Sequence, residues 1–333
     1  MTILHKKEPP IKIREQVWDE TMVPLVSIVC LTYNHEEFIS NAVESFLDQE
    51  TTFPVEILIH DDASADKTAE IVKAYKEKFP FTIRTVFQAE NQFSISGDPE
   101  VNVMYPMALG KYIALCEGDD YWTDSSKLQK QVSFMEGNPQ FVLCVGGYTR
   151  FYQETKETRV VVEKMAGKSR ESGFEFTLDE MREKWLTKTL TALFRRNILS
   201  EFDLTVYNHR RDIHLFYHLV KNRKGFYLSE NMGVYRVHMG GINSMKAAIV
   251  NSEASYQCYK ELYKNNRDDF TREMYLKSIL SFLNYRLYSG SVHISYFKMY
   301  IEALKLVRRG KELKWIVTVF MKRDLKAWFK ELF

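Results

Sequence analysis

Apolar and polar positions fall into blocks along the chain, and the period of the blocks changes in a regular order. "LVSIVCLTY" (25–33) is almost continuously apolar, the pattern of a strand buried on both faces of a parallel sheet. In "EEFISNAVESFLDQ" (36–49), Phe38, Ile39, Ala42, Val43, Phe46 and Leu47 recur at helical spacing. "VEILIHDDAS" (55–64) predicts a second strand ending in acids, "DKTAEIVKAYKEKF" (66–79) a second amphipathic helix, and "FTIRTVFQ" (81–88) a third strand. A loop containing Gly and Asn and a short helix near 100–109 lead to a fourth strand, "KYIALCE" (111–117). "SKLQKQVSFMEG" (126–137) is another helix, closed by Gly137 and Pro139, and "FVLCVGGY" (141–148) another strand.

This alternation predicts βαβ units: an α/β fold with a mainly parallel sheet and helices on both faces. In such sheets ligands bind outside the carboxyl ends of the strands. Three strands end in "TYNH", "HDDAS" and "EGDDYW", so these polar clusters are expected to converge on one crevice. Beyond Tyr148 the pattern changes. "RFYQETKETRVVVEK" alternates like an exposed strand pair, "TLTALFRRNI" reads as a strand, "RRDIHLFYHLVKN" as a helix and "GFYLSENMGVYRVH" as a strand. From Met245 to about Tyr288, and again from about Tyr296, the chain reads helical. Residues 1–24, polar and containing Pro9, Pro10 and Pro24, read as a lead-in arm.

Over 333 residues, 45% hydrophobic and 27% charged composition supports a globular chain with a full core. The net charge of +2 conceals an asymmetry: from Lys305 onward nine Lys/Arg face three Asp/Glu, a surplus of 6, so the remainder carries 2 − 6 = −4. Such a body is not expected to bind nucleic acid, whereas the tail suits an anionic surface. Cys30, Cys116, Cys144 and Cys258 form no Cys-x-x-Cys pair, and three lie in apolar runs. That favours reduced cysteines in a cytoplasm over disulfides or a zinc site. No signal-like segment opens the chain, and no uncharged apolar run approaches the roughly 18 residues needed to span a bilayer. A cytoplasmic location is expected.

Two readings stand for each polar cluster. "EGDDYW" is either a polar turn or a hard-cation site. Mg²⁺ and Mn²⁺ take oxygen ligands, often one or two carboxylates plus substrate phosphates. A cation would also offset the repulsion among Glu117, Asp119 and Asp120, beside an apolar wall of Tyr121 and Trp122. In "IHDDAS", Asp62 or Ser64 caps the next helix, or Asp62 accepts a hydrogen bond from a ligand such as a nucleobase. "TYNH" offers Tyr33 as a stacking face and Asn34 as a turn former.

Taken in order, "VSIVCLTYNHEEFISNAVESFLDQ", "VEILIHDDASADKTAEIV" and "KYIALCEGDDYWTDSSKLQKQV" resemble the family-2 glycosyltransferases of the GT-A fold. These are inverting enzymes that use nucleotide-diphosphate sugars. The resemblance is strong over 25–145 and thinner to about 245. It implies a GT-A domain over 25–245, with a nucleotide-sugar half (25–145) and an acceptor half (146–245), followed by a helical region over 246–333. It implies that Thr32, Tyr33, Asn34, Asp62 and Asp119 bind the nucleotide sugar, and that Asp120 ligates Mn²⁺ or Mg²⁺ bridging the diphosphate. Glu117 stands where many relatives have Asp. Asp212 in "HRRDIHLFYHL" matches the family's catalytic base, although Arg211 replaces the usual Gly or Glu before it. His238 in "YRVHMGGINS" matches a His that reaches the metal or diphosphate.

The resemblance further implies a UDP-sugar or related donor, and a glycan or lipid-linked glycan acceptor in bacterial-type polysaccharide or lipopolysaccharide assembly. Other enzyme classes fit less well. "MAGKSR" lacks the upstream Gly of a phosphate-binding G-x-x-x-x-G-K-[ST] loop, and no G-x-G-x-x-G follows the first strand. A glycoside hydrolase has no use for a nucleobase crevice, "TYNHEE" is not a nucleotidyltransferase loop, and the Gln-x-x-Arg-Trp of processive synthases is absent. The rival from another class is a non-catalytic nucleotide-sugar-binding protein on the same fold, against which Asp120 and Asp212 weigh. In the tail, Leu313, Ile316, Val317, Phe320, Met321, Leu325, Trp328 and Leu332 line one helical face. It either packs on the helical region or lies on an anionic leaflet through residues 312–333, making the protein peripheral to the membrane.

Overall fold

Strand by strand, the apolar runs build a ten-stranded mixed sheet. The computed structural model describes residues 9–17, 21–95, 99–239, 248–288 and 294–321. Strands β1 (Ile11–Lys12), β2 (Val26–Thr32), β3 (Glu50–Thr51), β4 (Val55–Asp61), β5 (Ile83–Phe87), β6 (Tyr112–Leu115) and β7 (Tyr121–Trp122) occupy the first part. There follow β8 (Phe141–Tyr152), β9 (Thr158–Val161), β10 (Gly173–Phe176), β11 (Leu193–Arg195) and β12 (Lys224–Val237). The order is β10-β12-β8-β11-β6-β2-β4-β5, with β7 on β12 and β9 on β8. Only β6, β2, β4 and β5 form the continuous parallel block expected from sequence. Antiparallel β11, inserted between β6 and β8, together with β7, β9 and β10, makes the rest mixed.

Register explains why three polar clusters meet. Val26 of β2 pairs with Val55 of β4 and with Tyr112 of β6, so all three strands end at one edge. Helix α1 (Ile39–Leu47) returns the chain from β2 to β4, and α2 (Thr68–Lys78) from β4 to β5, the crossovers that parallel neighbours require. Ala42, Val43, Phe46 and Leu47 of α1 are buried against the sheet, with Ile28 and Cys30 of β2 and Ile57 and Ile59 of β4 in the same core. Burial of this kind contributes about 1.5–3 kcal/mol per large apolar side chain. Short α3 (Gln92–Ile95), α4 (Tyr105–Met107) and α6 (Leu178–Glu183), with longer α5 (Lys127–Gly137), complete the helices of this part. Asp124 starts α5: its carboxylate accepts from the Ser126 N–H (3.0 Å) and Oγ (2.7 Å) and from Lys130 (2.9 Å).

The chain resolves into two units, one within Met1–Val206 and Leu215–Gly241, the other within Tyr207–His214 and Ile242–Phe333. The grouping differs from a simple division at 245, because the loop ahead of α7 (Asp212–Val220) goes with the helices. The second unit holds α8 (Ala248–Asn266), α9 (Asp269–Tyr288), α10 (Ile294–Leu306) and α11 (Gly310–Met321). A buried ion pair fixes α11 to α9: Arg272 donates to Glu312 through both terminal nitrogens (2.8 and 3.1 Å), and Glu312 accepts from the Arg308 and Arg309 N–H groups. Of the expected apolar face on α11, Ile316 is buried, while Leu313 and Val317 are exposed. Residues 322–333, including Leu325, Trp328 and Leu332, lie outside the described residues.

Candidate functional site

The loop after β2 and the loop after β4 are laced together. Asn34 turns the chain with a left-handed φ of 55°, and Ala63 faces it at 63°. Asn34 N–H donates to Ser64 Oγ, and its Oδ1 accepts from Ala65 N–H, both at 2.8 Å. His35 N–H donates to Thr68 Oγ1 (2.8 Å), and Glu36 N–H to Asp66 (3.1 Å). Thus Asn34 is the turn former expected, and the carboxylate at the start of α2 is that of Asp66, which accepts from Thr68 N–H, rather than Asp62 or Ser64. Asp62 is buried and reaches elsewhere: its two oxygens accept from the N–H groups of Gln92 (2.7 Å) and Phe93 (3.0 Å), ordering α3. Each oxygen keeps a further lone pair. Tyr33 stays 45% exposed at the edge, and Thr32 is buried with its hydroxyl unpartnered.

After β6 the chain passes under this edge through Gly118, whose N–H donates to Leu31 O (2.8 Å). Asp119 Oδ2 lies 3.2 Å from His238 Nε2 and 3.8 Å from His35 Nε2. Asp120 is only 2% exposed, and its Oδ1 accepts from Arg236 N–H (2.8 Å). Glu117 joins the group: its Oε2 accepts from Thr189 Oγ1 at 2.9 Å. Strand β12 thereby brings Arg236 and His238 to the acids of β6, while residues 240–244 of "YRVHMGGINS" lie outside the described residues.

The three carboxyls divide electrostatically. Burial, then the charges of Asp119 and Glu117, push the Asp120 carboxyl well up. Burial and Asp119 likewise raise Glu117. Burial works against Asp119 too, but the hydrogen bond with His238 and the neighbouring His35 outweigh it and hold that carboxyl low. Burial lowers His35, against the pull of Asp119. Lys188 lowers both Glu117 and Asp120 without cancelling the rise, and a divalent ion is one way to balance carboxyls crowded in this manner. Among the described residues no group of three or more His, Cys, Asp or Glu is placed to hold a metal ion. A hard cation shared with substrate phosphates needs only one or two carboxylates, and Asp120 retains a free oxygen for it, so the residues fit such an ion.

Arg236 joins the site as a residue that no motif of the sequence marks. It is about nine-tenths buried, its guanidinium lying 5.1 Å from the Phe38 ring centre and 4.7 Å from that of Tyr121. It donates to Asn41 Oδ1 (3.1 Å), while its Nε is unpartnered. The signal that could have found it is strand period: residues two apart share a face, which pairs Arg236 with His238. His35 and Thr189 carried no such signal. Asp212, by contrast, belongs to the second unit, exposed in the first turn of α7, where its Oδ1 accepts from Ile213 N–H (2.9 Å).

Residues 27–202, over half of the chain, match the family described as glycosyl transferase family 2. The chain belongs to that family. An uncharacterized protein of Mycobacterium tuberculosis is 40% identical over 129 residues, covering 39% of this chain and 36% of the relative, so the match spans about a third of that protein's length. TuaG of Bacillus subtilis, named for teichuronic acid biosynthesis, is 29% identical over 67% of this chain and 83% of its own. WfaP of Escherichia coli, named as a UDP-Glc:alpha-D-GlcNAc-diphosphoundecaprenol beta-1,3-glucosyltransferase, is 34% identical over 39% of this chain and 47% of its own. Among solved structures, Staphylococcus aureus TarS residues 1–349 with UDP-GlcNAc superposes with TM-score 0.60 at 20% identity, covering 87% of this chain and 81% of that one. The mannosyltransferase PcManGT of Pyrobaculum calidifontis, bound to GDP-Man and Mn²⁺, gives 0.53 at 15% identity, covering 93% and 91%. The fold is that of the GT-A glycosyltransferases, a mixed sheet with helices on both faces and helices added at the C-terminal end.

Proposed function

We propose that the protein transfers a sugar from a nucleotide-diphosphate donor, a UDP-sugar in the first instance, to a hydroxyl of a glycan or lipid-linked glycan, with inversion at the anomeric carbon. The observation that carries this reading is the acid cluster Glu117, Asp119 and Asp120 in the loop after β6, at the edge where β2 and β4 also end and 3.8 Å from His35 of the loop after β2. The structural relatives bound to UDP-GlcNAc or GDP-Man support a nucleotide-sugar donor. Thr32, Tyr33, Asn34 and Asp62 hold the nucleotide end in this reading, and Asp119, oriented by His238 and His35, faces the sugar. Asp120 and the diphosphate would hold Mn²⁺ or Mg²⁺, which when bound offsets charge on the leaving diphosphate. In this reading His238 donates toward that diphosphate. Asp212 takes the proton from the acceptor hydroxyl as its oxygen attacks the anomeric carbon; the bond to the diphosphate breaks, and its electron pair leaves on the phosphate oxygen.

Among the described residues no helix is long and apolar enough to cross a membrane. We place the acceptor at a membrane surface on a different ground. Ile301 and Leu304 of α10 and Leu313 and Val317 of α11 are exposed, in a stretch of sequence that carries Lys305, Arg308, Arg309, Lys311 and Lys314, with Arg308 and Arg309 paired to Asp269 and Glu273. Apolar residues set among cations favour an anionic leaflet.

A panel of nucleotide sugars, with Mn²⁺ or Mg²⁺ and with EDTA, tests the donor reading, because a bound ligand raises the melting midpoint by mass action. Stabilisation by one donor only with the ion, followed by transfer, is expected. Asp212→Asn is expected to keep that stabilisation and lose transfer; transfer at near wild-type rate removes the assigned base. Donor stabilisation with no transfer by wild type to any acceptor hydroxyl favours the non-catalytic binding protein instead.

A further inference from the structure

The loop that delivers Asp212 is held by one carboxylate of the C-terminal helices. Glu261 sits on α8 and grips the chain just ahead of α7 with both oxygens. Its Oε2 accepts from the N–H groups of Asn208 (2.9 Å) and His209 (3.0 Å), and its Oε1 lies 2.9 Å from His209 Nδ1. One turn earlier on the same face, Cys258 Sγ lies 3.1 Å from His209 O. Five residues beyond Glu261, Asn266 donates to the hydroxyl of buried Tyr207 (2.9 Å), whose ring packs 4.1 Å from that of His214. The fastening therefore brackets Asp212 on both sides: Tyr207 to His209 before it, His214 after it.

The carboxylate suits this task. Burial works against its charge, but the His209 backbone and ring outweigh that and hold Glu261 below the usual range, so it stays ionised while it clamps. Hydrogen bonds to a charged acceptor are about twice as strong as neutral ones. A catalytic group must be held within about half an ångström of its working place. Asp212 itself is exposed and bonded only to its own next N–H among the contacts described, so its backbone placement depends on the segments either side of it.

We propose that Glu261 is a positioning residue for transfer: it fixes the 208–209 backbone so that Asp212 is presented in one place at the start of α7. The inference rests on Asp212 being the base. It assigns part of the catalytic apparatus to the C-terminal helices, which a reading of the nucleotide-sugar half alone does not include.

The test is a cycle of three variants, Glu261→Ala, Asp212→Asn and the pair combined, assayed for kcat, donor KM and donor-dependent stabilisation. Glu261→Ala is expected to lower kcat about 10-fold or more with donor KM and stabilisation unchanged. If Glu261 acts through Asp212, the double variant turns over no more slowly than Asp212→Asn alone. Multiplying effects, or a wild-type kcat in Glu261→Ala while Asp212→Asn is inactive, overturns the clamp and leaves the base standing. Near wild-type transfer by Asp212→Asn overturns the base reading, and the clamp with it. Should Glu261→Ala not fold, Glu261→Gln, which keeps an acceptor for the backbone groups, and His209→Ala, which removes only the ring arm, carry the same cycle; both are expected to fall between wild type and Asp212→Asn in kcat, and wild-type kcat in both overturns the proposal.

Discussion

Gly118 packs directly on Thr32. A Cβ built on Gly118 would lie 2.7 Å from Thr32 Oγ1, 2.8 Å from its Cβ and 3.0 Å from the Ile39 side chain. The glycine in front of the two aspartates is therefore there for room: it lets the chain after β6 run against the end of β2, which brings Asp119 and Asp120 up to the loop of Tyr33 and Asn34. Gly118→Ala should force these strand ends apart. Overpacking of this sort costs about 1–3 kcal/mol, so a lowered melting midpoint and a weakened donor titration are expected together. Unchanged donor binding in the folded variant would show that this contact does not set the site.

Asp120→Asn separates stability from function. Burial and two neighbouring acids raise the Asp120 carboxyl. Its ionised form therefore opposes folding, increasingly as pH rises above the ordinary carboxylate range toward the raised value. Asn keeps an acceptor oxygen for Arg236 N–H and carries no charge. In metal-free buffer at neutral pH the variant should melt at or above the wild-type midpoint, while turnover falls about 100-fold, the scale of one lost electrostatic contact to a developing charge. Thermal unfolding beside initial rates checks both; retained turnover would remove Asp120 from the ion site.

How much of this could be read from the chain depends on how local each feature is. β2, β4 and β6 are buried on both faces, so their apolar runs are nearly unbroken and their polar ends stand out. The place of Asp124 at the start of α5 is a local feature, since its partners Ser126 and Lys130 lie within six residues. Glu117 could not be placed, because its partner Thr189 is 72 positions away. The pattern of "TLTALFRRNI" predicts a longer strand than the three-residue β11, since only its pairing between β6 and β8 makes it a strand. Helix α6 was missed although Thr177 and Glu180 form a capping box, with Glu180 accepting from Thr177 N–H at 2.8 Å; that signal was present in "TLDE".

Acid should loosen the helical unit through Glu312. Burial raises its carboxyl, but Arg272 and the Arg308 and Arg309 N–H groups outweigh it and lower the group from its ordinary 4.5 to about 2. A depressed carboxylate stabilises fully above its unfolded value and loses that contribution as pH falls through the folded value. The window is thus from about pH 4.5 down to 2, and the amount is on the order of 3 kcal/mol. Helical circular dichroism followed by acid titration should show a transition there. Glu312→Gln leaves buried Arg272 with only the half-exposed carboxylate of Asp269, 3.5 Å from its Nε, as counter-charge, so it should lower stability at pH 7 and flatten the acid dependence. A variant with the wild-type acid profile would show that the pair does not control this unit.

Membrane contact is best tested on the exposed apolar residues, since their replacement leaves the buried face of α10 and α11, including Ile316 and Leu306, intact. Leu304→Glu with Val317→Glu removes two apolar side chains and reverses local charge among the lysines and arginines. Wild type is expected to sediment with vesicles containing phosphatidylserine and to be released as salt rises, because the attraction is screened within about 10 Å at 0.1 M. The double variant should lose about 10-fold or more in partitioning, with its melting midpoint unchanged. Equal sedimentation of both proteins, or binding that ignores the anionic lipid, would mean that these helices face something other than a leaflet.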